Sequence, residues 1–182
     1  MTLDSGAVTQ EIFRATCGTV HSELIKGSGE AMLTTLVRET DVDVIMQSGR
    51  HTLLDHSALD AFLPACRERG VSVIAASIFN SGLLAVPRPV AGAHFDYEAA
   101  TPEVVERANK IADVCEAHGV TLPQAAMAFP LRYPAVAGIV VGMRSAEEVR
   151  RNVESFAAQV PAQVWSDLPA AGLIRSTMTK ED

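Results

Sequence analysis

Apolar positions change their period several times along the chain, and each change marks an element. Between Glu30 and Thr40 the residues Met32, Leu33, Leu36 and Val37 share one helical face, which predicts a helix. Val42 to Gln47 follows almost at once; short and β-branched, it reads as a mostly buried strand. Ser57-Ala-Leu-Asp60 resembles a capping box, so a second helix is expected from there to Arg69, stopped by Gly70, where a left-handed residue costs least. Val71 to Ser77 then reads as a second buried strand. From Asn80 to Ala100 the periodicity lapses, with Pro87, Pro89, Gly92 and the close aromatic pair Phe95 and Tyr97. A loop this long is expected to have a function, and a substrate-side one suits it.

Helical spacing resumes after Thr101-Pro102-Glu103, which supplies an N-cap, a proline at the first helical position and an acid in the first turn. Val104, Ala108, Ile111, Ala112 and Cys115 form the buried stripe of that helix, and Gly119 ends it. Cys115 therefore reads as core and not as a nucleophile. Thr121 and Gln124 form a capping-box pair opening a short Ala-rich helix closed by Pro130 and Pro134. Ala137 to Val141 is the third strand, and Ser145 to Ala158 the helix after it. Strands that each lead through a loop into a helix suit either a doubly wound sheet or a (β/α)8 barrel, and periodicity does not choose between them. A complete barrel takes ~250 residues, so with three strand units visible a barrel here is a partial one.

Composition narrows the function. The 182 residues are 48% hydrophobic, enough for the core of one globular domain, and the net charge of −7 argues against wholesale nucleic-acid binding. The longest apolar runs, Val71 to Phe79 and Ala135 to Met143, fall short of the ~20 residues that cross a bilayer. The first residues lack a basic segment leading into an apolar one, so no secretory signal and no membrane partner are expected. Cys17, Cys66 and Cys115 are odd in number and far apart, without metal-ligand spacing. Free thiols in the cytoplasm and no metal site are the expectation.

One segment carries chemistry. At Gly138 to Asn152 a buried strand passes through Gly142 into a helix capped by Ser145, where free N–H groups and the positive end of the helix dipole make an anion site, with Arg144 adding charge. An ordinary capped helix uses the same residues.

Gly49-Arg-His-Thr-Leu-Leu-Asp55, Arg69-Gly-Val-Ser-Val-Ile, Phe79-Asn-Ser-Gly-Leu-Leu84 and the segment from Gly142 to Asn152, in this order, resemble the C-terminal half of an aldo-keto reductase. The likeness is strongest to the aldose (L-fucose) dehydrogenase branch, with the pyridoxal and galactose dehydrogenases, and covers about Glu30 to Asp167. It implies an α/β fold, a partial (β/α)8 barrel made of strands six to eight with their helices. The implied division is a divergent N-terminal segment at 1–29, the barrel half at 30–172 and a flexible tail at 173–182, with Trp165 and Asp167 in the closing helix. The implied cofactor is NAD or NADP.

Carried over by position, Ser77 and the turn Phe79, Asn80, Ser81, Gly82 and Leu83 hold the nicotinamide half and the pyrophosphate. Gly142, Met143, Arg144 and Ser145 lie where the family binds the adenosine ribose or its 2′-phosphate, and Asn152 where it meets adenine. Glu148 occupies a position that is often Arg in NADP-preferring members. An acid there repels a 2′-phosphate and accepts from a 2′-hydroxyl, which favours NAD; Arg144 and Arg151 are the groups that could serve a phosphate, and Glu148 also suits a capping box with Ser145. Gln47 or Ser48 falls near the carboxamide-holding Gln of the family. His51, where relatives often carry an aromatic residue, and Tyr97 are the substrate-side candidates.

The family's Asp, Tyr, Lys and His, with the Tyr as general acid, come from the first half of its barrel, and no matching motif occurs here. No catalytic residue is therefore assigned. The expectation is a truncated or split member that oxidises a sugar or small aldehyde only when completed, and that self-associates or meets a complementing chain. The alternative is a catalytically silent nucleotide-binding or interaction protein derived from that family.

Overall fold

The computed structural model describes residues 19–21 and 29–176. Strands β1 (Thr19–His21), β2 (Val44–Ser48), β3 (Ser72–Ala76) and β6 (Val136–Val140) form a parallel sheet in the order β1-β2-β3-β6. Helices α1 (Gly29–Glu39) and α2 (Phe62–Arg69) make the first two crossovers. Between β3 and β6 lie a small antiparallel hairpin, β4 (His94–Phe95) and β5 (Glu98–Ala99), and helices α3 (Pro102–Ala117) and α4 (Leu122–Ala128). Helices α5 (Ala146–Ala157) and α6 (Ala162–Ala170) follow β6.

Alternation along the strands divides the sheet into two faces. Ile45 and Val73 are paired in register and lie buried on one of them, joined by Ala75 and by Val136 of β6. Leu33, Leu36 and Val37 of α1 and Phe62, Leu63 and Cys66 of α2 pack in that core, each large side chain contributing about 1.5–3 kcal/mol by leaving water. A second core joins Ile111, Ala112 and Cys115 of α3 to Leu122, Ala125 and Ala126 of α4, Val164 and Leu168 of α6, and Leu83 and Leu84. No helix among the described residues is long and apolar enough to cross a membrane.

Most boundaries follow the local signals. Gly70 caps α2 at φ +71°, and Gln124 accepts the Thr121 N–H at 2.8 Å at the start of α4. Three readings are corrected. The chain before α1 contributes a fourth strand: Thr19–His21 pairs in parallel with Val44 to Met46. Ser57 does not cap α2. Its N–H and hydroxyl both donate to the Asp55 carboxylate, residues 57–59 form a separate 3₁₀ turn, and α2 begins at Phe62. The tail expected from Leu173 starts docked. Leu173 is buried, its carbonyl accepts two N–H groups of Arg107 at 2.8 and 3.2 Å, and Arg175 pairs with Asp60 at 2.6 Å.

The aperiodic stretch after β3 is also tied down. Arg88 bridges Asp113 and Glu116 of α3, each at 2.6 Å, which fixes the Pro-rich part and leaves the β4–β5 hairpin to reach back over the strand ends.

Candidate functional site

Ser48, Ala76 and Val140 are the last residues of β2, β3 and β6, and a cleft of about 600 Å³ opens there. Parallel sheets present their ligands' sites at this end, where loops leave the strands and helix N-termini arrive. Ser48 donates its hydroxyl to Ser77 Oγ at 2.7 Å, joining the ends of two strands. The chain then turns sharply. Asn80 N–H donates to Ser77 O, and Gly82 and Leu84 N–H both donate to Phe79 O, all at 3.0 Å.

That turn demands an unusual backbone. Ser77, Asn80 and Ser81 have φ of +53°, +45° and +58°; Asp96 and Tyr97, at the tip of the hairpin, have +48° and +68°. These are all the left-handed non-glycine residues among those described, and every one lines the cleft. Each costs of order 1–3 kcal/mol and persists only where the surroundings hold it, so their convergence marks the site. The hairpin tip is attached to the turn: Tyr97 N–H donates to Ser81 Oγ at 3.0 Å, and Arg50 reaches Asp96 at 3.4 Å and Asp55 at 3.0 Å.

The opposite wall is the start of α5. Ser145 caps it, its hydroxyl accepting the Glu148 N–H at 3.1 Å. The reciprocal bond is displaced by one residue from a standard capping box, since the Glu148 carboxylate accepts the N–H of Arg144 at 2.7 Å. That N–H, helped by the charges of Arg144 and Arg151 and opposed by some desolvation, holds the Glu148 carboxyl below the usual carboxylate range. Arg144, Glu148, Arg151 and Asn152 all face the cleft, with Gly142 at its edge.

Of the residues singled out in the sequence, Ser77, Phe79, Asn80, Ser81, Gly82, Gly142, Arg144, Glu148, Asn152 and Tyr97 line this one cleft. Four do not. Leu83 is 1% exposed, because the turn sends its side chain into the second core. Met143 lies outside the cleft wall with 44% of its surface exposed, and the hydroxyl of Ser145 is occupied in capping. His51 is 2% exposed and sits against Phe129 and Tyr133, with ring centroids 5.0 and 5.9 Å away, in the core and not on a substrate surface. Of Gln47 and Ser48, Ser48 lines the cleft, while Gln47 is buried and both its amide atoms lack a partner. Sequence reasoning missed Asp96. Its signal was the two-residue step between two short extended pieces, without the glycine that usually advertises such a hairpin.

The sequence profile of the aldo/keto reductase family matches residues 29–172. The chain belongs to this family. Among its relatives is pyridoxal 4-dehydrogenase of Microbacterium luteolum, 41% identical over 138 residues that make up 76% of this chain and 40% of that protein. D-threo-aldose 1-dehydrogenase of a Pseudomonas species is 42% identical over 142 residues, 78% of this chain and 43% of that protein. The chain thus spans about two fifths of the length of these curated relatives. An aldo-keto reductase of Bacillus halodurans has the same fold, with TM-scores of 0.59 in its holo form and 0.61 in its apo form at 18% and 20% identity. The match covers 82% of this chain and 49% and 50% of the two solved chains. The parallel sheet with its helices is therefore an aldo-keto reductase α/β fold, and the cleft lies where its parallel strands end.

Proposed function

We propose that the cleft holds a nicotinamide dinucleotide and that the chain is the cofactor-holding part of an NAD(P)-dependent oxidoreductase acting on an aldose or other small aldehyde. The observation that carries this reading is the convergence of all five described left-handed non-glycine residues on one cleft that also receives the N-terminus of α5.

The residues present fit such a ligand. Asn80 lines the cleft and its buried Oδ1 has no partner, so the turn carries an unsatisfied acceptor that a rotation of the side chain would offer to a ligand hydroxyl or amide. Ser77 and the turn from Phe79 to Gly82 are assigned to the nicotinamide half and the pyrophosphate, Gly142 and Arg144 to the adenosine ribose, and Asn152 to adenine. Glu148, already an anion at this wall, favours NAD, because its carboxylate accepts from a 2′-hydroxyl and repels a 2′-phosphate. When bound, the dinucleotide supplies the hydride acceptor or donor. The chain's own residues bind and orient it. Among the described residues lining the cleft no lysine or histidine stands beside Tyr97 to tune or relay its proton, so no proton-transfer role is assigned to these residues, and turnover by the chain alone is not expected. The aldose assignment is supported by the relatives' names, and a cytoplasmic setting by the buried free thiols of Cys66 and Cys115.

Titration of NAD, NADH and NADP into the purified chain, followed by calorimetry, tests this. Saturable binding that weakens in Asn152→Leu and Ser81→Ala is expected. Absence of binding by all three dinucleotides, or binding indifferent to both substitutions, would sink the proposal.

A further inference from the structure

Tyr97 occupies a backbone position that ordinarily belongs to glycine. Strands β4 and β5 pair Phe95 with Glu98, which leaves Asp96 and Tyr97 as the whole connection, and both have positive φ, +48° and +68°. A two-residue hairpin with this pattern is a primed turn, whose usual sequence is Asn-Gly or Asp-Gly. Asp96 conforms. At the second position a bulky side chain brings its Cβ against the following carbonyl oxygen, a cost that glycine avoids. Burial offsets little of that cost, since Tyr97 is 61% exposed. The chain thus carries a tyrosine where the turn alone selects glycine, so the reason for it lies in what the side chain meets and not in the fold of the hairpin.

The surroundings say where that is. Tyr97 N–H donates to Ser81 Oγ at 3.0 Å, and Asp96 lies 3.4 Å from Arg50, which is itself paired with Asp55 at 3.0 Å. These bonds fix the tip beside the turn after β3, in the wall of the cleft. The strand ends that line the cleft bring Met46, Ser48, Ala76 and Val140, none of them aromatic. Phe79, the other aromatic residue of the described wall, packs against both cores. Tyr97 is therefore the aromatic group that the cleft offers to a ligand.

We infer that the ring of Tyr97 stacks on a planar ring of the bound dinucleotide, its nicotinamide or its adenine, and so sets the affinity of the cleft. This rests on the dinucleotide reading above. A ring carried on a rigid two-residue turn loses little freedom on stacking, whereas one on a slack loop would have to be ordered at binding, which is what the strained backbone secures. Stacking takes no account of a 2′-phosphate, so Tyr97 contributes alike to NAD and NADP, unlike Glu148.

Calorimetric titration of NAD, NADP and ADP-ribose into wild type, Tyr97→Gly, Tyr97→Asn and Tyr97→Phe tests the inference. Glycine and asparagine both accept left-handed backbone, so these two variants are expected to melt no lower than wild type. They are expected to bind NAD roughly tenfold more weakly, with the NAD to NADP preference unchanged. Tyr97→Phe keeps the ring and is expected to stay within about twofold of wild type. A loss shared by ADP-ribose, which lacks nicotinamide, assigns the stacked ring as adenine, and a loss confined to the full dinucleotides assigns it as nicotinamide. If wild type binds none of the three ligands, the dinucleotide reading fails and this inference with it. If wild type binds and Tyr97→Gly and Tyr97→Asn bind as tightly, this inference alone falls. A lower melting temperature in both variants overturns it as well, since Tyr97 then serves the fold.

Discussion

The carboxylate of Glu148 accepts the backbone N–H of Arg144 at 2.7 Å, so the N-terminus of α5 already holds an anion of the protein's own. An incoming phosphate at that wall competes with a covalently tethered rival, whereas a ribose hydroxyl finds an acceptor. Glu148→Arg is therefore expected to raise NADP affinity relative to NAD by about tenfold. The same change deletes the bond to Arg144 N–H, so the melting temperature falls. The two roles separate by pH as well. Because the folded carboxyl titrates below its unfolded value of 4.5, its stabilisation of the helix start is complete above that value and lost as pH falls through the lowered one. Calorimetry with both dinucleotides on wild type and variant decides. A fixed NAD to NADP preference with a lower melting temperature would leave Glu148 as a cap only.

Much of this wall was legible in the sequence because its signals are local. Ser145 and Glu148 stand at capping spacing, Gly70 and Gly119 stop their helices with left-handed backbone, and the strand and helix periods alternate cleanly. What was not legible depends on direction or on distant partners. Leu83 belongs to a turn placed in the cleft by resemblance, but position in a turn does not say which way a side chain points, and its neighbours send it into the core. His51 sits at a strand end, where either a pocket or a core is at hand; Phe129 and Tyr133, far along the chain, decide for the core. The strand Thr19–His21 is too short to show alternation and is recognisable only through its ladder with β2.

Arg107 spans three elements. Two of its N–H groups donate to the carbonyl of Leu173 and a third to that of Leu54 at 3.1 Å, joining α3 to the segment after α6 and to the loop after β2. Arg107→Met keeps the aliphatic stem and strands both carbonyls. A loss of about 1–3 kcal/mol is expected, with faster amide exchange at residues 173–176 than in the rest of the second core. Urea unfolding with equal m-values and an unchanged midpoint would contradict it.

Burial pushes the Cys66 thiol up to about 12 and the Cys115 thiol to about 11. Only the thiolate is nucleophilic, so neither is expected to react with a disulfide reagent while the chain is folded, and both are expected to react once it is denatured. Peptide mapping after brief alkylation identifies the labelled positions. Modification of Cys66 or Cys115 without loss of structure would show that the two cores open far more readily than their packing implies.

The last prediction concerns His51 and His56, which flank the ring of Phe129 at 5.0 and 5.5 Å. Both are pushed down to about 4 from 6.5, first by burial; His51 is lowered further by its neighbour His56, and His56 by Arg107. The unfolded chain therefore takes up protons that the folded chain refuses. Stability is full above about 6.5 and declines as pH falls toward 4, each histidine steepening the slope by about 1.4 kcal/mol per pH unit. Neither ring nitrogen of His51 has a partner, so replacing it by an aromatic residue of similar shape removes both a titration and two unsatisfied polar atoms. His51→Phe is expected to melt higher than wild type at about pH 8 and to gain more at about pH 5, with roughly half the acid slope. Thermal melts across that range on both proteins measure it. An unaltered slope in the variant would mean that His51 keeps a proton acceptor or ordered water in the folded chain, and that the acid sensitivity lies with His56 alone.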